Sequence, residues 1–352
     1  CVVPSTGWGY NWGNGPDWSS AITHIPWQIY LYTGNKQVLV ENYEAITRHF
    51  QYMESMAEDW IVQYGIGDWC PPFEGSAISV RMSSFKAPLE LTDTAYFYNA
   101  ANTIAKMASV LDLHDDEHHY RTAAEAIKKA FRKAFYNADT HSIAGDCQTS
   151  TACMIYQGLL EDGEQEPLLN VLLRQIADAN DHQDTGILGN KYIYNALGEA
   201  GRMDIALKMA LNESYPSFRH WIDRGATTLW ECWNGEGSQN HHMFSDISAV
   251  MYKYLGGIRP DEREPGFRHI VMRPAVDCGL RSVKCSHESP FGTIVSNWDR
   301  AGNSVTLNIE IPSGSRATLE IPPDFAKEDY PCRLPSGTHH LKVESATTVP
   351  RN

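Results

Sequence analysis

The chain has 352 residues and a formal net charge of -14, from 43 acidic and 29 basic residues. This balance makes nucleic acid and anionic membrane surfaces poor partners. A hydrophobic content of 42% with 20% charged residues is typical of a globular protein. No stretch approaches the roughly 18 uninterrupted apolar residues of a membrane span. The length is sufficient for one large domain and a small one.

The chain opens at Cys1-Val2-Val3-Pro4 without an initiator Met or a signal peptide, which predicts a piece of a longer protein. Its eight cysteines show neither a CxxC pair nor a regular framework. We therefore predict that most are free thiols, and the compartment stays undecided: cytoplasm or periplasm if the source is bacterial.

The first part of the chain has the pattern of helices. Residues 1–27 are rich in Gly, Trp and Pro, which predicts a loop. An apolar stripe over 36–60 predicts a helix, and 61–86 reads as a long loop carrying Gly67-Asp68-Trp69. Further helices are predicted at 88–113, 116–136, 149–160, 167–179, 190–200, 203–212 and 243–255.

The order of these helices indicates the fold class. A helix that is apolar nearly all round (88–113) is followed by one with a single apolar face (116–136), which predicts antiparallel pairs in two concentric layers, an (α/α) toroid. After a linker near residue 260, short alternating runs such as 304–311 predict a small antiparallel β-sandwich. The predicted domains are 1–260 and 261–352.

One cluster carries the predicted chemistry. Trp230, Glu231 and Trp233 fall within four positions, and His241 follows. Aromatic faces bind the apolar face of a sugar ring, and a carboxylate held between indoles is poorly solvated, so its pKa is free to move toward a working value. A buried aromatic corner with Glu231 neutralised by an arginine such as Arg224 explains the spacing equally well.

Other chemistries lack their motifs. The adjacent histidine pairs at 118–119, 241–242 and 339–340 do not converge on one metal, and no HExxH occurs. No GxSxG, P-loop or GxGxxG lies at a strand-to-helix turn. We therefore expect no metal and no nucleotide cofactor.

Several segments, taken in order, resemble one family. They are DWSSAITHIPWQIYLYTGN, YGIGDW, ELTDTAYFYNAA, DTGILGNKYIYNALGEAG, YPSF, GATTLWECW, NHHMF, PGFRHIVMRPA and SPFGTIVSNW. Together they cover nearly the whole chain and resemble the α-L-rhamnosidases of glycoside hydrolase family 78. The most specific part is GATTLWECW followed by NHHMF.

The resemblance implies an (α/α)6-barrel followed by a C-terminal β-sandwich. It also implies inverting hydrolysis of terminal α-L-rhamnosides without metal or cofactor, so the expected partner is a rhamnose-containing glycoside; a homodimer is left open. Glu231 matches the general base of the family's WExW motif. The residues matched to its sugar contacts are Trp18, Trp69, Trp230, Trp233 and His241, and Asp68 beside Trp69 is expected to contact a hydroxyl.

The chain also departs from the family pattern. Nothing before the segment Trp18–Ala21 matches the family's acidic motif, so the general acid is expected upstream of residue 1 and this piece is expected to be inactive. Ser20 stands where the family usually has Asp, Cys232 where it often has Arg, and Ser245 where it usually has Gly. Two alternatives stay open: another (α/α)-barrel enzyme with a different sugar, or a non-catalytic carbohydrate-binding homologue.

Overall fold

A computed structural model describes residues 15–72, 86–325 and 331–345. Within it the chain forms two compact units, each built from separate stretches. The first combines the stretch ending at Trp27 with Lys36–Ala196 and Lys208–Asp246, and the second combines Gln28–Asn35 and Leu197–Leu207 with the stretch from Ile247. The predicted boundary near residue 260 stays a prediction.

Helices dominate the first 255 residues, as predicted. They are α1 Pro16–Ser19, α2 Ala21–Thr33, α3 Gln37–Ser55, α4 Leu89–Val110, α5 His114–Phe135, α6 Gln148–Tyr156, α7 Gln165–Asp178, α8 Ile187–Glu199, α9 Met203–Ala210, α10 Phe218–Asp223 and α11 Asp246–Val250, which continues as a π-helical turn Met251–Leu255. None of those in the described ranges is long and apolar enough to cross a membrane.

Residue spacing explains how the first hairpins pack. Helix α3 buries Leu39, Ile46, Phe50 and Met53, which recur at three and four positions and so share one face. The Phe50 ring stacks on Phe97 of α4, with ring centroids 5.0 Å apart. Helix α4 is buried on most sides and α5 on one, which confirms the alternation predicted from the sequence.

The prediction of a loop over residues 1–27 is wrong from Pro16 onward. Glycine and proline suggested broken structure, but Pro16 occupies the first turn of α1, where its missing N–H is not needed. Pro26 lies inside α2, and the next residue of that helix, Trp27, is buried. Residues 1–14 of the predicted loop lie outside the described residues. The short helix α10 was also not predicted.

The strands form two four-stranded sheets after a small hairpin of β1 Tyr136–Asn137 and β2 Ser142–Ile143. They are β3 Ile258–Pro260, β4 His269–Met272, β5 Ser282–Ser289, β6 Gly292–Ala301, β7 Ser304–Ile311, β8 Arg316–Leu319, β9 Arg333–Leu334 and β10 Gly337–Glu344. Helical hairpins followed by two sheets in which all described strand pairs but one are antiparallel confirm the predicted fold class.

The strand order includes one parallel pair, which the sequence did not predict. Strands β10, β7, β6 and β5 form an antiparallel sheet, and β7 buries alternate residues as its pattern predicts. In the second sheet, of order β3-β4-β8-β9, strands β4 and β8 pair in parallel. The chain between them builds β5, β6 and β7, a connection long enough for the crossover that parallel strands require.

Leu39 and Val40 give a matched test of the α3 face. Leu39 is fully buried, and its neighbour Val40 is mostly exposed. We expect Leu39→Ala to lower the free energy of unfolding by ~2–5 kcal/mol, because it leaves a cavity. Val40→Ala should change it by less than about 0.5 kcal/mol. Denaturant titration of both variants measures this difference, and equal effects would contradict the assigned face.

Candidate active site

The segment that contains Glu231 is held against a cluster of aromatic rings. The indoles of Trp221 and Trp233 stack with centroids 4.5 Å apart, Trp230 lies 5.8 Å from Trp221, and Phe244 lies 4.5 Å from Trp233. Cys70, Cys232 and Ile187 complete the buried part of this cluster. Such stacked and tilted pairs stabilise a packed core. The turn around Glu231 therefore rests on a rigid aromatic cluster.

Hydrogen bonds fix this turn further. The indole N–H of Trp221 donates to the carbonyl of Trp233 (2.8 Å), and that of Trp233 donates to the carbonyl of Thr185 (3.3 Å). Trp230 and Trp233 keep only 6% and 2% of their surface exposed. The contacts seen here therefore build the wall of the site, and the assignment of these two indoles to sugar binding stays a prediction.

Glu231 lies at the surface of this wall. Its side chain is 12% exposed, and its Oε2 accepts a hydrogen bond from the backbone N–H of Ser238 (2.8 Å). In return, the Glu231 N–H donates to the Ser238 carbonyl (2.8 Å). The carboxylate is thus oriented by a backbone donor while part of it stays accessible, which is the placement a general base needs.

The structure brings His241 next to Glu231. Its Nδ1 lies 3.8 Å from Oε2 of Glu231, and its side chain is 27% exposed. The His241 N–H donates to the carbonyl of Leu229 (2.9 Å), which returns the chain to the start of the same turn. Two of the predicted site residues therefore share one accessible surface.

Asp68 is placed differently from its prediction as a hydroxyl contact. Its carboxylate is fully buried and accepts hydrogen bonds from the N–H groups of Gly186 (2.9 Å) and Gly189 (2.8 Å) and from the hydroxyl of Thr149. Burial raises the pKa of Asp68, and these three donors act against that shift. The contacts are those of a structural carboxylate, and its contact with a sugar stays a prediction.

Gly186 and Gly189 allow their segment of backbone to pack closely enough to donate to the Asp68 carboxylate. A Cβ at Gly186 would lie 2.2 Å from the carbonyl oxygen of Trp69, and one at Gly189 would lie 2.2 Å from Oγ1 of Thr149. No side chain fits at either position. The N–H of Ile187 also donates to the Trp69 carbonyl (2.8 Å), so the backbone of Trp69 is fixed.

Trp18 and Trp69 lie at the edge of the aromatic cluster. Both are half-buried and pack against its buried members. Indoles that keep part of their surface exposed beside a rigid wall are suited to hold a sugar ring. The structure therefore brings these two predicted residues to the cluster that supports Glu231.

Sequence reasoning missed a pair of buried carboxyl groups beside Trp18. Oδ2 of Asp17 accepts from the N–H groups of Ile66 (2.7 Å) and Gly67 (2.6 Å), and Oδ2 of Asp93 accepts from Tyr64 (2.9 Å) and Gly65 (2.7 Å). These bonds fasten the loop that leads to Asp68 and Trp69. The signal in the sequence was an acidic residue directly before Trp18, and its partner is far away in the chain.

The two carboxyl groups face the same point above Gly65. A Cβ there would lie 2.2 Å from Oδ1 of Asp93 and 2.8 Å from Oδ1 of Asp17. Neither Oδ1 has a hydrogen-bond partner in the described part of the chain. Burial raises the pKa of Asp17 to about 6, and burial with repulsion from Asp17 raises the pKa of Asp93 well above its usual range.

Comparisons with known proteins bear on this site. Residues 1–255 match the sequence profile described as the bacterial alpha-L-rhamnosidase 6 hairpin glycosidase domain, and residues 257–329 match that of the bacterial alpha-L-rhamnosidase C-terminal domain. The chain belongs to the bacterial α-L-rhamnosidase family. The predicted membership of glycoside hydrolase family 78 is thereby confirmed.

Curated relatives and solved structures agree with this membership. An α-L-rhamnosidase of Formosa agariphila is 30% identical over 319 residues, covering 87% of this chain and 34% of the relative. The α-L-rhamnosidase structure from Dictyoglumus thermophilum has a TM-score of 0.84 at 29% identity, covering 94% of this chain and 40% of that one. That of Streptomyces avermitilis, complexed with L-rhamnose, has a TM-score of 0.81 at 25% identity over 93% and 33%. The chain thus spans about a third of the length of the curated relatives that it matches.

The acid pair predicts an unusual dependence of stability on pH. A carboxyl group whose pKa is higher in the folded than in the unfolded protein stabilises the fold at low pH, and this stability is lost as the pH rises through the folded pKa. For Asp17 the window runs from its ordinary 3.8 to about 6. Asp93→Asn removes the carboxyl group whose pKa burial and the Asp17 charge raise well above its usual range, so the variant's free energy of unfolding relative to the parent should rise by ~1–3 kcal/mol from pH 4 to pH 7.

Denaturant titrations across this pH range measure the difference. Glu44→Gln is the control, because Glu44 is an exposed carboxylate on α3. Its difference from the parent should stay within about 0.5 kcal/mol. A constant difference for Asp93→Asn would show that the pKa of Asp93 is not raised on folding.

Proposed function

We propose that the protein containing this chain hydrolyses terminal, non-reducing α-L-rhamnose from glycosides or polysaccharides with inversion. The observation that carries the proposal is Glu231: a partly accessible carboxylate, oriented by a backbone donor and 3.8 Å from Nδ1 of His241, on a turn that rests on packed indoles. The complex of the Streptomyces avermitilis relative with L-rhamnose supports the choice of sugar.

In this mechanism Glu231 is the general base. It takes a proton from a water molecule, whose oxygen then attacks the anomeric carbon on the face opposite the leaving group. A carboxylic acid protonates the departing glycosidic oxygen, and the two carboxyl groups of an inverting enzyme are roughly 6.5–9.5 Å apart. In our proposal that acid lies upstream of residue 1 in the longer protein, so this chain alone turns over little or no substrate.

The surrounding residues have distinct roles in this proposal. Trp18 and Trp69 contact the apolar face of the rhamnose ring, and His241 contacts a hydroxyl and orients Glu231. Asp68 acts as a positioning residue, since its carboxylate holds Gly186 and Gly189, and the N–H of Ile187 between them binds the Trp69 carbonyl. The protein chain needs no metal for these steps, because the water is activated by a carboxylate.

Binding of the sugar can be tested without turnover. Calorimetric titration of this chain should show saturable binding of L-rhamnose and no comparable binding of L-fucose or D-glucose. Trp69→Ala should weaken the binding by roughly tenfold, or ~1.4 kcal/mol, because the ring loses an aromatic contact. Trp69→Phe should retain more of it, and Tyr252→Ala, which changes an exposed ring outside the site, should have no effect.

Two results of this titration would contradict the proposal. Equal binding of all three sugars would remove the case for rhamnose and favour an enzyme of the same fold with another substrate. Unchanged rhamnose binding by Trp69→Ala would remove Trp69 from the pocket. If the chain alone binds no sugar, the same titration on the full-length protein decides whether the site needs the rest of the protein or whether rhamnose is the wrong sugar.

Turnover tests the role of Glu231. In the full-length enzyme, Glu231→Gln should lower kcat by about 10²–10⁴-fold, because the amide cannot accept the proton of water, while rhamnose binding stays close to that of the parent. Glu236→Gln, at an exposed position of the same loop, is the matched control and should leave kcat unchanged. Undiminished turnover by Glu231→Gln would rule out its role as base.

A further inference from the structure

Two buried thiols meet where the candidate site's two loops adjoin. The Sγ atoms of Cys70 and Cys232 are 3.9 Å apart although the residues are 162 positions apart in sequence. Cys70 follows Trp69 directly, and Cys232 follows Glu231. The two side chains are 0% and 1% exposed. Both residues are thiols in this structure, so their contact is not covalent.

The backbone holds the two thiols in this contact. Cys70 has φ of +57°, a left-handed conformation that is uncommon for a residue other than glycine. On one side the N–H of Ile187 binds the carbonyl of Trp69, the residue before Cys70. On the other, the carbonyl of Thr185 accepts from the indole of Trp233, the residue after Cys232. One short segment therefore fixes both cysteines.

The separation is compatible with a covalent bond. A disulfide has an S–S length of about 2.05 Å, so the sulfur atoms need to approach each other by about 2 Å. Rotations of two side chains about their Cα–Cβ bonds produce movements of this size. The sulfur atoms already lie in contact inside an apolar cluster, whose members in the described part of the chain include no third cysteine.

We infer that Cys70 and Cys232 form a modification site, at which a small disulfide of the glutathione class reaches the two buried thiols during local opening of the site loops and oxidises them to an intramolecular disulfide. One cysteine, as a thiolate, attacks a sulfur of the oxidant and releases one equivalent of free thiol. The other cysteine, after losing its proton, displaces the second thiol from the mixed disulfide. Two protein thiols become one disulfide, and the oxidant's disulfide becomes two thiols.

The bond would join the loop of Trp69 to the turn of Glu231. Cys70 neighbours Trp69, and Cys232 neighbours Glu231. The bond therefore changes the position of the Trp69 indole relative to the Glu231 carboxylate. This consequence rests on the proposed function. Formation of the bond does not, since it depends only on the two thiols and the oxidant.

Peptide mapping of the intact chain tests the bond. The reduced 352-residue chain is incubated with oxidised glutathione at about pH 8, close to the ordinary pKa of an exposed cysteine thiol, about 8.5. It is then denatured, alkylated and digested without reductant. We expect a cross-linked peptide pair containing Cys70 and Cys232, the loss of two alkylation sites, and full reversal by a thiol reductant.

Variants identify the partners in this reaction. Cys70→Ser and Cys232→Ser should each abolish the cross-link, whereas Cys278→Ser, which removes another buried thiol, should leave it intact. Exposed Cys332 reports that the oxidant is active, because it takes up glutathione. If Cys332 is modified while both Cys70 and Cys232 remain fully alkylated, or if either forms its bond with another cysteine, the inference is overturned.

Rhamnose titration of the oxidised and reduced chains separates the two proposals. A changed affinity that reverts on reduction supports both the bond and its location in the sugar site. A cross-linked chain that binds no rhamnose in either state supports the bond, and the titration is then repeated on the full-length protein, where a lack of binding contradicts the proposed function. A cross-linked chain with unchanged affinity contradicts the coupling between the bond and the sugar site.

Discussion

The buried carboxylate of Asp68 is the interaction on which the candidate site depends. It accepts two backbone N–H groups of the segment Thr185–Gly189 and the hydroxyl of Thr149. A buried carboxylate without such donors would cost several kcal/mol. The same segment receives the indole of Trp233 and donates to the carbonyl of Trp69. Both site loops are therefore attached to one stretch of backbone, and Asp68 holds that stretch in place.

This arrangement divides the aromatic residues into two groups. Trp221, Trp230 and Trp233 are buried against one another and give the turn of Glu231 its rigidity. Trp18 and Trp69 keep part of their surface exposed at the edge. A sugar site needs both properties, because binding energy is lost if the platform must be ordered when the ligand arrives.

The sequence predicted those features that have a local pattern. The apolar stripe of α3 and the alternation of β7 follow from residue spacing alone, and both are observed. Helix α1 was missed because Pro16 breaks a helix in most positions but is favoured in the first turn. The parallel pairing of β4 with β8 has no local signal, since it depends on the whole connection between them.

For the site residues too, only features with a local sequence pattern could be predicted. The carboxylate–indole pattern and the family resemblance placed Glu231 and His241 together, and the structure brings their side chains within 3.8 Å. Neither indicated that Asp68 is fully buried, because burial is set by Gly186 and Gly189, more than a hundred residues later in the chain. The contact of Asp17 with the Gly65 loop was hidden for the same reason.

The stacked indoles have an optical consequence. Trp221 and Trp233 lie 4.5 Å apart with an interplanar angle of 22°, close enough for the electronic transitions of the two rings to couple. Coupled transitions of fixed relative orientation produce a pair of circular dichroism bands of opposite sign, which vanishes when the rings separate. The protein therefore carries an intrinsic spectroscopic reporter directly beneath the turn of Glu231, and its signal follows the packing of that turn without any attached label.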